Sequence, residues 1–190
     1  SASPADLDHA ELYLCMRVFL CRFASQHLTG FWPIILTEMV RILAQAKVDL
    51  PADKSDRLQL VFSVVKLADF LITLQTDDFQ IHQWLLITDT PDATNPASSY
   101  MADSLLDCLA KFVSECQREL VFDANDSLER AQQRRPLLQM SSVATISTLQ
   151  PFFATASRAF YQCDFHATLD WDNINACLLH DLFEPIHTNT

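Results

Sequence analysis

The sequence predicts an all-α fold of about six to eight helices, packed as an irregular bundle or as a degenerate HEAT- or armadillo-like stack. Three observations carry this. One glycine in 190 residues leaves hairpin turns without the residue that takes positive φ most readily. Apolar residues recur at helical spacing in segment after segment. The connectors between them carry the hydroxyl, carboxylate and proline signals that start and stop helices. A chain that is 49% hydrophobic and 19% charged is too apolar for disorder, and its length suits one helical domain over residues 1–190.

Ser3-Pro4 opens the first helix, since a hydroxyl can cap and proline at the first helical position loses no bond. Leu7, Tyr13, Leu14, Val18 and Cys21 then follow helical spacing, giving a helix over 4–24. After a connector at 26–28, Thr29 is the expected cap of a second helix that holds Pro33 in its first turn. Its apolar face is Ile34, Ile35, Met39, Ile42 and Leu43, and it runs to Lys47. Pro51 breaks the chain before Ser55 or Asp56 opens a third helix ending near Gln75. Thr76-Asp77-Asp78 caps a short helix over 78–87.

Residues 88–98 read as a loop, 99–121 as a helix, and 122–140 as a polar loop with a candidate helix over 127–135 ended by Pro136. Ser147 is the expected cap of a helix with Pro151 in its first turn, continuing to Gln162, and Asp170 or Asp172 caps the last helix through Leu182. Leu60, Leu67, Leu74 and Ile81 fall seven apart, but Thr76-Asp77-Asp78 interrupts the run before a zipper's length is reached. An internal core is the better reading of that row.

The charge excludes function classes. With 13 Lys+Arg against 24 Asp+Glu, a formal net charge of −11 opposes a phosphate-binding surface, so no nucleic acid is expected. The scarcity of glycine opposes phosphate-cradling loops. Six dispersed cysteines without a CxxC pair suit free thiols in a reducing cytosol. Cys163-x-x-His166 lacks the further ligands zinc needs, and Cys163, His166 and Asp170 have no oxyanion-forming glycine beside them. No catalytic residue, cofactor or metal is expected, and the chain reads as a non-enzyme. Because it opens on Ser1, with Asp6, Asp8 and Glu11 where a signal peptide would be basic, it reads as a fragment of a longer protein without a leader.

Two surface candidates remain. Phe31, Trp32 and Pro33 at a helix start could anchor a partner. Arg130, Arg134 and Arg135 stand against the acidic background; at four-residue spacing Arg130 and Arg134 would share a helical face and could take a phosphoinositide head group or an acidic segment.

The run Gln26-His27-Leu28-Thr29-Gly30-Phe31-Trp32-Pro33-Ile34-Ile35-Leu36-Thr37-Glu38 resembles the QHLT-x-x-WP-x-x-x-TE stretch of the C-terminal region of the Dopey family. Lys66-Leu67-Ala68-Asp69-Phe70-Leu71, followed by Phe79-Gln80-Ile81-His82-Gln83-Trp84 and the residues through Thr90, resembles the next stretch of that region in the same order. Leu149-Gln150-Pro151-Phe152-Phe153 and Leu182-Phe183-Glu184 extend the likeness loosely. The resemblance implies a large cytosolic trafficking scaffold, peripheral on Golgi, trans-Golgi network and endosome membranes. The partners it implies are a HEAT-repeat protein related to Arf exchange factors, a phospholipid flippase and kinesin, together with self-association. A lipid-recognition or motor-cargo adaptor role at Arg130, Arg134 and Arg135 is the alternative.

Overall fold

A computed structural model describes residues 4–87, 104–116, 134–138, 143–162 and 167–183. Among them are seven α-helices and no strand: α1 (Pro4–Arg22), α2 (Trp32–Val48), α3 (Asp56–Leu74), α4 (Asp77–His82), α5 (Leu105–Cys116), α6 (Gln150–Gln162) and α7 (Trp171–Phe183). The all-α expectation holds. The 88–98 loop, Arg130 and the Cys163–His166 pair lie outside the described residues, as does most of the 122–140 segment.

The organising element is α3, in which every residue from Leu60 to Leu74 is buried. A helix apolar on all sides must be wrapped on all sides. Helix α1 packs along it most extensively, α2 and α6 also lie against it, and Asp181 of α7 reaches Lys66 upon it. Contact between the central helix and both the first and last helices describes a closed bundle, whereas units of a solenoid touch only their sequence neighbours. Helix α5 packs against α6 and α2, and Phe79 of α4 meets Phe160 of α6 edge to face, with centroids 6.4 Å apart. Leu60, Leu67 and Leu74 are buried inside this core, while the fourth member of the heptad row, Ile81, is 68% exposed. The row is thus core, not zipper.

The ends of α3 satisfy the backbone groups that a helix leaves open. Ser55 Oγ accepts from the Leu58 amide at 3.1 Å. At the other end Gln75 turns left-handed, with φ 50°, and its amide donates to Leu71 O. Its side-chain Nε2 donates to Ile72 O at 2.7 Å. Arg134 then takes the last two carbonyls: Nη2 donates to Thr73 O at 3.1 Å and to Leu74 O at 2.9 Å. Its Nη1 also reaches Ala167 O at 3.3 Å.

Thr76 caps α4 through the Phe79 amide, and Asp170 caps α7 through the Asn173 amide. Two expected caps are corrected. Thr29 begins a 3-10 turn (Thr29–Phe31), and α2 starts only at Trp32 without a side-chain cap. Ser147 lies inside another such turn, Ile146–Leu149, which precedes α6. Before α2 the preceding residue, Phe31, is already near-helical, and before α6 the extended residue, Thr145, precedes the tight turn and makes no side-chain capping bond.

Candidate partner-binding groove

The late start of α2 decides which residues face out. With Trp32 as its first residue, Trp32, Leu36, Met39, Leu43 and Ala46 fall on one stripe spaced four and three apart, all buried. Trp32 is therefore core, only 1% exposed, which corrects its reading as a partner anchor. Phe31 and Ile34 lie off that stripe and are 58% and 72% exposed, and Pro33 is exposed beside them. Ile34, expected on the apolar inner face, is on the outside for the same reason.

Phe31 and Ile34 belong to one wall of an apolar groove of about 570 Å³. Helix α1 supplies the opposite wall through Leu12, Tyr13, Met16 and Phe19, continued by Phe23 just past its end. His27, Leu28 and Phe31 of the connector close one end, and Ile34, Ile35 and Glu38 of α2 complete the lining. Phe19 and Phe23 pack edge to face at 5.3 Å, so the aromatic wall is braced internally. Glu38 is held by a two-pronged pair with Arg41, Nε at 2.8 Å and Nη2 at 2.5 Å. That pairing keeps its carboxyl below the usual range. Burial pushes the Tyr13 hydroxyl well above its ordinary value, with Glu38 adding to the effect, so Tyr13 stays a neutral phenol on the groove floor. The chemistry offered is the burial of apolar side chains against a polar edge, which is how proteins hold a partner's helix.

A second assembly, absent from the sequence reading, lies inside. Arg17 of α1 and Lys66 of α3 both donate to the carboxylate of Asp181 on α7. The Arg17 guanidinium lies 5.5 Å from the centre of the Phe70 ring and the Lys66 ammonium 4.6 Å from that of Phe62, placements that favour cations. One turn along α3, Asp69 Oδ1 and Oδ2 accept from the amides of Leu137 and Leu138 at 2.9 and 2.8 Å. Burial pushes the Asp69 carboxyl up to about 7, opposed by those two amides and by the Lys66 and Arg17 charges. Burial likewise lowers Lys66, with Asp181 resisting. This cluster joins the first, central and last helices. Lys66 and Asp69 belong to the Lys66–Leu71 run, whose charged members thus serve the interior.

The arginine candidates are also placed. Arg134 is spent on the end of α3, in left-handed conformation with φ 50°, and Arg135 Nε lies 2.7 Å from Asp170 Oδ2. The structure does not bring these two together as a free basic face. Among the described residues no cluster of three His, Cys, Asp or Glu could hold a metal ion, and no helix is long and apolar enough to cross a membrane. Cys15, Cys21 and Cys177 are free thiols.

Comparison with known proteins gives the groove its setting. Residues 1–165 match the family described as DOP1 C-terminal. The dop1 protein of Emericella nidulans is 32% identical over 110 residues, covering 56% of this chain and 6% of its own length. DOP1B of Xenopus laevis is 25% identical over 183 residues, covering 80% of this chain and 8% of its own. The pad-1 protein of Caenorhabditis briggsae is 27% identical over 164 residues, covering 80% and 6% respectively. The chain thus spans less than a tenth of these relatives. No solved structure gives a significant match. With most of its length matched, both likened segments included, the chain belongs to the Dopey (DOP1) family and corresponds to its C-terminal region.

Proposed function

We propose that this domain is a non-enzymatic protein-interaction module of a trafficking scaffold, and that the α1–α2 groove is its docking site. The observation that carries the reading is the groove itself, where large side chains including Phe31, Ile34 and Phe23 stand exposed together around an apolar hollow. Contiguous exposed apolar surface of this kind is costly unless something covers it. Family membership supports the trafficking-scaffold role, and the place proposed for it is the surface of Golgi, trans-Golgi network and endosome membranes. The partners proposed are the HEAT-repeat protein related to Arf exchange factors, a phospholipid flippase and kinesin. The alternative, lipid or motor-cargo recognition through Arg130, Arg134 and Arg135, has less support because the fold itself engages Arg134 and Arg135.

The test is the pair Phe31→Asp and Ile34→Asp in the full-length scaffold. Both positions are exposed, so circular dichroism and the unfolding midpoint should hold, while co-purification with the exchange-factor-related partner and Golgi or endosome placement are lost. Unchanged partner binding and placement in the doubly substituted protein would overturn the proposal.

A further inference from the structure

Resting on the reading of the groove as a docking site, we infer that its occupant is an amphipathic helix of a protein partner carrying basic residues at its flanks. The shape argues for a helix. Along α1 and just past its end, Leu12, Met16, Phe19 and Phe23 are spaced four, three and four apart, the seam spacing with which one helix receives another. Leu12 and Phe19 stand largely exposed on it, as a seam awaiting its partner would. From Leu12 to Phe23 the seam runs for about 16 Å at 1.5 Å per residue, matching about three turns of an incoming helix. A partner's β-strand would instead add to a sheet edge, and no strand is present among the described residues.

Charge selects among helices. Asp8 and Glu11, both exposed, precede the seam on α1. At the connector end Asp78 accepts from Thr29 Oγ1 at 3.4 Å, with exposed Asp77 beside it. Of the nearby cations, Arg41 is paired with Glu38, while Arg22 donates to the neutral amide oxygen of Asn175 and keeps its charge. The connector end thus carries Asp77 and Asp78 against the one guanidinium of Arg22, and the other end carries Asp8 and Glu11, so both are net acidic on a chain of formal charge −11. Complementary charge at a rim speeds encounter and fixes orientation, and like charge rejects wrong partners. That rejection applies to a second copy. The exposed apolar residues of α7, Trp171, Leu179, Leu182 and Phe183, share their helix with exposed Asp172, so α7 of another molecule would bring acid to acid.

The experiment uses this chain and three labelled helical peptides that share one leucine seam and differ only in Lys, Gln or Glu flanks, read by fluorescence anisotropy. The Lys-flanked peptide is expected to bind about tenfold more tightly than the Gln-flanked one, with the Glu-flanked one weakest and the spread narrowing in high salt. Asp8→Lys with Glu11→Lys should compress the order, and Phe31→Asp should remove binding of all three in a chain that still melts normally. Equal affinities that Phe31→Asp abolishes would overturn the charge selection and leave groove docking standing. No binding by any peptide, or binding indifferent to Phe31→Asp, would overturn both. A dimer by light scattering that Phe31→Asp dissolves would assign the groove to a second copy and overturn the inference.

Discussion

Arg17 on the first helix and Asp181 on the last form an ion pair across 164 positions, with side chains only 4% and 9% exposed. Lys66 shares the same carboxylate. Removing that carboxylate strands two cations in a low-dielectric interior, so Asp181→Asn is expected to cost about 3–5 kcal/mol. Replacing the whole triad, as Arg17→Met, Lys66→Met and Asp181→Leu, should instead be neutral or stabilising, because desolvation of all three charges is relieved together. Urea unfolding of both proteins checks the pair of expectations.

Arg134 is expected to matter through the end of α3. Arg134→Ala leaves the Thr73 and Leu74 carbonyls without their charged donor and should cost about 2–3 kcal/mol. Arg134→Gly should cost less than the alanine change, since glycine accepts the left-handed backbone without strain. Thermal melts of the two variants give the order, and its reversal would show that the backbone strain at this position is negligible.

Asp69 makes stability depend on pH. Its folded value, up to about 7 against 3.8 for an ordinary aspartate, means the native state keeps this proton longer than the unfolded chain does. The stability it contributes is present in full below about pH 4 and is lost as pH rises to 7. Asp69→Asn removes that slope at the fixed cost of one amide contact. The stability of the Asn protein relative to the parent should therefore climb between pH 4 and 7 and level off above. A difference that stays flat from pH 4 to 8 in urea titrations would mean that Asp69 is ionised throughout.

At Trp32 the expectation is one of size. Trp32→Ala should cost about 3–5 kcal/mol through the cavity it leaves, in contrast to the small effect of Phe31→Asp next to it. Trp32→Phe should be much milder, because among the described residues the indole Nε1 meets no acceptor and loses no bond on removal. Midpoints of chemical unfolding separate the three.

What the sequence makes legible here is what acts locally. Ser55, Thr76 and Asp170 are readable as caps because a capping side chain bonds an amide three residues ahead. Thr29 and Ser147 carry the same chemistry but sit in tight turns, a difference the residue types alone do not encode. The groove was half legible. Phe31 and Pro33 are exposed, but the exposure of Trp32 depends on the phase of α2, and the stripe Trp32-Leu36-Met39-Leu43-Ala46 was the available signal for its burial. The ionic cluster could not be read at all. Lys66 and Asp69 look like polar interruptions of an apolar run, and their partners come from distant helices and a distant strap of backbone. The same holds for Arg134, whose acceptors at Thr73 and Leu74 lie about 60 positions earlier.

The central position of α3 has a kinetic consequence. Its neighbours arrive from both ends of the chain, Arg17 from one side, Arg134 and Asp181 from the other. Large loops must close before those contacts can reward the closure, and that entropy is lost in advance. For an all-helical chain the contact order is accordingly high, and refolding should run slower than in bundles whose helices pack only against the next in sequence.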